Sequence, residues 1–507
     1  MTSIVHRSTF LPVMLCLSGA LTAARAEEPL TIGSYRQLFV DDHLIQKSVN
    51  VRKVLHPARK DEHNPLIETD QPWDGAQIYT HGSVIRDDRQ GFFRMWYAGW
   101  APGRNIGLYA TSKDGIHWDR PALGLVDYEG STANNLVDFF SLGLTWRPED
   151  PDPDRRYKAI IYGRPGFSAD GLRWQVPDEV TRLPGDIVGD NVIPSCYDEQ
   201  SDRYLAFPKV NRQSGAHLRR SVALSLSNDF LTWTSAETVL VPDQRDDQLA
   251  RARVAALRDH VLYDDGPDWH IAQFYVRCGF PYEGMYLGLL WVFDISGWPE
   301  EIERRPATGG EDGPVQVQLT SSRDLRHWER AGDRELLIPV GKEGTWEAGQ
   351  IYTVNRPIVV GDEIWIYYGG IQNTHFHPLY REEVDTGKYP PETRGGIGLA
   401  RLRLDGWVSV DAGDETGSLT TKPLRFDGKD LVINAVAKDG WVTVAVLDQH
   451  GEPHPGFSAA DCQRFSGDRV RHVVSWKDGS DISQLRDQPV RLRFQMKNAS
   501  LYSFATG

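Results

Sequence analysis

The sequence predicts an all-β fold, a five-bladed β-propeller followed by a C-terminal β-sandwich of jelly-roll type. Three features carry that prediction: an octapeptide present twice, a Trp-containing turn present four times, and helix periodicity that is nowhere sustained. The octapeptides are Trp73-Asp-Gly-Ala-Gln-Ile-Tyr-Thr80 and Trp346-Glu-Ala-Gly-Gln-Ile-Tyr-Thr353, which exchange one carboxylate for another. Each leads into an aromatic strand, Phe92-Phe-Arg-Met-Trp-Tyr-Ala-Gly99 or Glu363-Ile-Trp-Ile-Tyr-Tyr-Gly-Gly370, and then into a strand opening Ile106-Gly-Leu108 or Ile397-Gly-Leu399. Matching multi-strand units at the two ends of a long β-rich stretch suggest a closed ring of repeats.

The first 26 residues read as a secretory signal. Arg7 gives a basic start, Phe10 to Leu17 is mostly apolar, and Ala24-Arg-Ala26 is a small-x-small cleavage site. The apolar run is too short for a stable membrane anchor. A secreted or periplasmic location is expected. The mature chain would hold 481 residues (507 less 26) and a net charge of −16, since the signal removes two Arg from a total of −14. An acidic chain with no basic run speaks against nucleic acid or an anionic membrane as partner. Cys196, Cys278 and Cys462 form no disulfide framework, although a Cys196–Cys278 bridge stays open beside free buried thiols. No Cys/His spacing resembles a zinc site.

After Arg36-Gln-Leu-Phe-Val-Asp-Asp-His-Leu-Ile45 the turn signals begin. Ser-x-Asp-x-x-x-Trp occurs at Ser112/Asp114/Trp118, Ser168/Asp170/Trp174, Ser227/Asp229/Trp233 and Ser322/Asp324/Trp328, at intervals of 56, 59 and 95 residues. Leu404-Asp-Gly-Trp407 reads as a shortened fifth copy. Ser and Asp side chains bond turn amides while Trp packs between neighbouring sheets, so these boxes are scaffold. The interval suits propeller blades of about four strands each. Strand pairs precede each box, including Ala252-Arg-Val-Ala-Ala256 and Trp269-His-Ile-Ala-Gln-Phe-Tyr275 before the fourth. Beyond Trp407 the alternating runs Leu431-Val-Ile-Asn-Ala-Val-Ala437, Trp441-Val-Thr-Val-Ala-Val-Leu447 and Val490-Arg-Leu-Arg-Phe-Gln495 read as the sandwich. Residues 27–406 are thus assigned to the propeller and 407–507 to the sandwich.

On Leu38-Phe-Val-Asp-Asp-His-Leu-Ile45, the Tyr-Tyr-Gly-Gly strand and the C-terminal sandwich, the chain resembles the five-bladed propeller glycoside hydrolases, the clan of families 32, 43, 62 and 117. It lacks the Trp-Met-Asn-Asp-Pro, Arg-Asp-Pro and Glu-Cys-Pro motifs of the well-studied members. The resemblance implies a carbohydrate substrate and hydrolysis of glycosidic bonds by paired carboxylates.

In a propeller the inner strands start near one mouth of the central funnel, so acids far apart in sequence converge there. Glycoside hydrolysis needs such a pair, one carboxylic acid to protonate the leaving oxygen and one carboxylate as nucleophile or base. The blade starts read as Asp74, Asn134-Asn135, Asp190-Asn191, Asp246-Asp247 and Glu347. Glu347 is read as the general acid, Asp74 or Asp190 as base or nucleophile, and Asp247 as a tuning group. Asp42 follows from the clan's N-terminal aspartate, and only one of Asp41 and Asp42 can face the funnel. Tyr79 and Tyr352 are candidate sugar-stacking faces, and His375 and His377 candidate sugar contacts. No cofactor is expected, and a structural calcium ion would find no ligand loop. Retention or inversion, the sugar and the oligomeric state stay open. The alternatives are a non-catalytic carbohydrate-binding propeller and a glycoside phosphorylase.

Overall fold

The structure, a computed structural model, describes residues 28–101, 104–139, 143–188, 193–257, 261, 263–298, 310–375, 395–486 and 488–507. The secretory-signal reading therefore lies outside the described residues.

Five antiparallel blades form the ring, the fourth and fifth joined through a single parallel pairing of Val315 with Gln350. Blade 1 runs Gln77–Asp87, Phe92–Ala101, Arg104–Ser112 and Leu136–Val137 from the axis outwards. Blade 2 has Leu144–Trp146, Tyr157–Ile161 and Arg164–Ser168. Blade 3 begins with Ser195–Asp198 and Arg203–Ala206, and its long strand His217–Ser227 also pairs with Lys209–Ser214 and Glu237–Leu240. Blade 4 has Ala272–Tyr282, Met285–Asp294 and Val315–Ser322. Blade 5 has Gln350–Thr353, Glu363–Ile371 and Gly395–Arg403. Its outer edge is completed from the other end of the chain, where Lys60 pairs with Ala400 and Ile67 with Ile397. Pairing first residues with last closes the ring and removes an exposed sheet edge.

The axis is tied at one end by Asn355. Its amide donates to the carbonyls of Leu144 (3.1 Å) and Ser195 (3.0 Å) and accepts from Ser83 Oγ (2.8 Å), joining blades 1, 2, 3 and 5. Between blades, the boxes act as clasps. In each full copy the Asp carboxylate accepts two turn amides, as Asp170 does from Leu172 and Arg173. The box carbonyl of Gly171 then accepts both its own Trp174 (3.0 Å) and Trp96 of blade 1 (2.7 Å). Gly115 repeats this with Trp118 and with Tyr367 of blade 5. A side chain at either glycine would clash with the neighbouring blade's rings, and both have positive φ.

The second domain is a nine-stranded sheet folded around Phe39, Phe494, Phe504 and Trp476. It takes strands from both ends of the chain: Gln37–Leu38, Ile45–Val49 and Val51–Leu55 pair with strands beyond residue 407. The ring therefore begins after Leu55, not at residue 27. Asp405 of the shortened box joins the two domains, accepting from Arg36 (2.8 Å), Tyr282 (2.7 Å) and Ser503 (2.7 Å).

One stretch departs from the all-strand reading. Residues Gln244–Ala256 form an α-helix, α1, so Ala252–Ala256 is helical and not a strand. Asp243 caps it through the amides of Arg245 and Asp246, a strong local start signal that outweighs its weak amphipathicity. Cys196, Cys278 and Cys462 are buried, and no Cys196–Cys278 bridge forms.

Candidate functional site at the inner-strand starts

The octapeptide has a third copy. Trp269-His-Ile-Ala-Gln273-Phe-Tyr275 keeps Trp, Gln and Tyr at the spacing of Trp73/Gln77/Tyr79 and Trp346/Gln350/Tyr352. In sequence it reads as the second strand of a pair with Ala252–Ala256, and His270 stands where the other two copies have an acid. It is the start of blade 4's inner strand. The three tyrosines form a chain at the centre, with ring centroids 6.4 Å apart for Tyr79–Tyr352 and 5.9 Å for Tyr275–Tyr352. Tyr79 and Tyr352 are thus brought together, both buried within the core. Tyr79 donates to Asn105 (3.2 Å), and Tyr352 donates to Gln350.

Blades 3 and 4 are locked beside this chain by two adjacent arginines. Arg219 forks onto Asp247 at 2.5 and 2.9 Å, and Arg220 forks onto Glu311 at 2.9 and 3.1 Å. Gln273 stands between the second pair, accepting from Arg220 (2.6 Å) and donating to Glu311 (3.1 Å). Burial pushes the Glu311 carboxyl upward, but the charge and hydrogen bonds of Arg220 outweigh it and hold the group below its ordinary value. His375 Nδ1 lies 3.1 Å from the Glu311 carbonyl, and its ring is 5.3 Å from Tyr275. The Lys209 ammonium sits 4.3 Å from the Tyr275 ring centroid.

Asp247 reaches this place by a route the sequence did not suggest. It belongs to the first turn of α1, not to a strand, and its carboxylate accepts from the Ala272 amide at 3.1 Å. Glu311 lies in a Gly- and Asp-rich stretch with the composition of a turn, which carries no local sign of a site residue. The third Trp/Gln/Tyr copy is the signal that leads to it, through Gln273.

Asp74 and Glu347 occupy matching places in blades 1 and 5. Each lies beside a tyrosine of its blade's second strand and a cation. Glu347 accepts from Tyr368 (2.6 Å) and pairs with Lys60 (2.8 Å). Asp74 accepts the amides of Asp70 (3.2 Å) and Gln71 (3.0 Å) and meets Arg120 (3.3 Å), while the buried Tyr97 phenol is pushed further up by its charge. The two differ in environment. Asp74 is fully enclosed, and burial outweighs the Gln71, Asp70 and Arg120 contacts to raise its carboxyl above the ordinary value. Asp74 Oδ1, Gln77 Oε1 and Thr80 Oγ1 are also buried without a hydrogen-bond partner, an uncommon concentration at one strand start.

Asp42 is not part of this assembly. Its side chain is 78% exposed and pairs with Lys53, because the preceding strand belongs to the second domain. Its neighbour Asp41 is held by Arg323. Asp190 and His377 lie outside the described residues. Among the described residues no group of three or more His, Cys, Asp or Glu is placed to hold a metal ion.

No family model and no curated protein matches the chain. Several solved structures are similar. An N-acetylgalactosamine deacetylase from F. plautii in complex with blood group B trisaccharide shares 16% identity at a TM-score of 0.37, covering 75% of this chain and 96% of that one. A family 43 arabinoxylan arabinofuranohydrolase from Bacillus subtilis shares 8% at 0.35, covering 88% and 97%. The Bombyx mori family 32 β-fructofuranosidase BmSUC1 shares 12% at 0.36, covering 88% and 95%. Likenesses this distant add no argument about substrate or chemistry; the blade count rests on the strand pairing itself.

Proposed function

We propose that this chain is an exported glycoside hydrolase, with residues 1–26 removed, whose catalytic carboxylates are Asp74 and Glu347. The observation that carries the reading is the divergence of two acids at one repeat position. One is enclosed and raised by burial, and the other lies against the Lys60 ammonium, so the pair offers different carboxyl groups for the two halves of the reaction. Asp74, raised by burial and with one oxygen unpartnered, suits the proton donor. Glu347, paired with Lys60, suits the nucleophile or base. This exchanges the roles expected from sequence. Asp247 and Glu311 orient the site through Arg219 and Arg220, and Asp190 remains a further candidate. The rings of Tyr79, Tyr352 and Tyr275 are buried in the core and present no open face to a sugar, so they support the site and do not stack on its ligand.

A second reading has its own support. Asp74, Glu347, Asp247 and Glu311 each have a cationic partner, as acids of a purely binding ring would. Release of reducing ends from a panel of xylan, arabinan, β-mannan, galactan and inulin separates the two. Turnover on one of them supports the hydrolase; retention on a polysaccharide without turnover supports the binding ring.

A further inference from the structure

A cavity lies between blades 1 and 2. Its volume is about 320 Å³, and it adjoins the tyrosine chain through Asn105, the partner of Tyr79. Such a volume is at the lower end of small-molecule sites. Its walls are two fixed aromatic pairs. On the blade 1 side Trp73 and Tyr128 meet edge to face at 6.2 Å. On the blade 2 side Phe139 and Trp174 stack at 4.1 Å.

The polar tips of these rings are engaged within the protein. Trp73 donates to Asn135 (2.7 Å), Tyr128 to the Pro72 carbonyl (2.8 Å) and Trp174 to the Gly171 carbonyl (3.0 Å). With their orientation set, the rings can offer faces without losing side-chain freedom on binding. At the rim, Tyr162 is 50% exposed and has φ of +49°, a left-handed backbone uncommon for a tyrosine. The hairpin holds this large ring out at the cleft's edge.

Charge narrows the ligand. Asp127 and Asp138 are exposed on the lining, and no Lys or Arg is among its described residues. Carboxylates next to aromatic faces accept from hydroxyl groups while the rings meet C–H surfaces, and they repel anions. We propose that this cleft binds neutral sugar residues of a glycan chain, as a non-catalytic subsite. The proposal rests on the chain handling glycans, not on its cutting them.

The test is affinity electrophoresis of the full chain in gels of xylan, arabinan, β-mannan, galactan, inulin or polygalacturonate. At least one neutral polymer should retard the protein, and Tyr162→Gly, which fits the local backbone, should weaken that retardation about three- to ten-fold. Tyr162→Phe should retain it, and polygalacturonate should retard neither. Undiminished retardation of Tyr162→Gly, no retardation by any neutral polymer, or retardation by polygalacturonate alone would overturn the proposal. Retardation without cleavage would remove the hydrolase reading and leave the cleft. Cleavage without retardation would remove the cleft alone.

Discussion

Arg220 and Glu311 form a buried, two-pronged ion pair that ties blade 3 to blade 4, with Gln273 of the inner strand bridging them. The Glu311 side chain is fully buried and that of Arg220 nearly so. Each charge has given up its hydration, so each depends on the other. Arg220→Met strands a buried carboxylate and should cost about 3–5 kcal/mol in denaturant unfolding, whereas Arg220→Met with Glu311→Leu should recover much of that loss. Equal stability of the single and double variants would contradict the pairing argument.

The same pair sets an acid limit on stability. Its folded-state carboxyl lies below the ordinary value of 4.5, so its contribution is present above that value and is lost as pH falls through the folded value. The wild-type melting temperature should therefore fall more steeply below about pH 4.5 than that of the double variant. Parallel curves would rule this out.

Asp74 has the opposite sign. A raised carboxyl favours folding when protonated, and that contribution disappears as pH rises through the folded value. As a proton donor it must also be protonated in turnover, which places it on the alkaline limb of the rate profile. Arg120 lowers Asp74, so Arg120→Gln should move that limb to higher pH. An unmoved limb would exclude Asp74 as the donor.

The boxes should affect stability and leave chemistry alone. Asp170→Ala removes the acceptor of the Leu172 and Arg173 amides at the clasp between blades 1 and 2. The cost should be about 1–2 kcal/mol, with kcat unchanged once a turned-over glycan is in hand. A loss of kcat in folded protein would give the boxes a role beyond scaffold.

Asp405→Ala should weaken the joint between ring and sandwich, since this one carboxylate accepts from Arg36, Tyr282 and Ser503, while the Arg323–Asp41 and Arg403–Asp468 pairs remain. The expected result in calorimetry is a broadened or split transition. A single sharp transition at the wild-type temperature would show that the domain contact does not depend on it.

The ring was legible because its repeats are local. An Asp that accepts its own turn amides, or a Trp that bonds the carbonyl three residues earlier, leaves a fixed spacing in the chain. The domain boundary was not legible. Residues 37–55 alternate like any strand, and only their partners beyond residue 407 reveal which sheet they join. Asp42 was misplaced for that reason. Asp74, Glu347, Tyr79 and Tyr352 were readable from two octapeptides, whereas Arg220 and Glu311 meet across 91 residues. Nothing local in either segment marks that pairing. The helix carrying Asp247 was hidden because its polar surface lacks a clear apolar stripe.

The most direct test of the account is the turnover of Glu347→Gln and Asp74→Asn on whichever glycan the wild type cleaves, with unfolding curves recorded beside the kinetics. Both variants should keep the fold, and each should lose about 10²-fold or more in kcat. Full turnover by either folded variant would contradict the assignment of these two carboxylates as the catalytic pair.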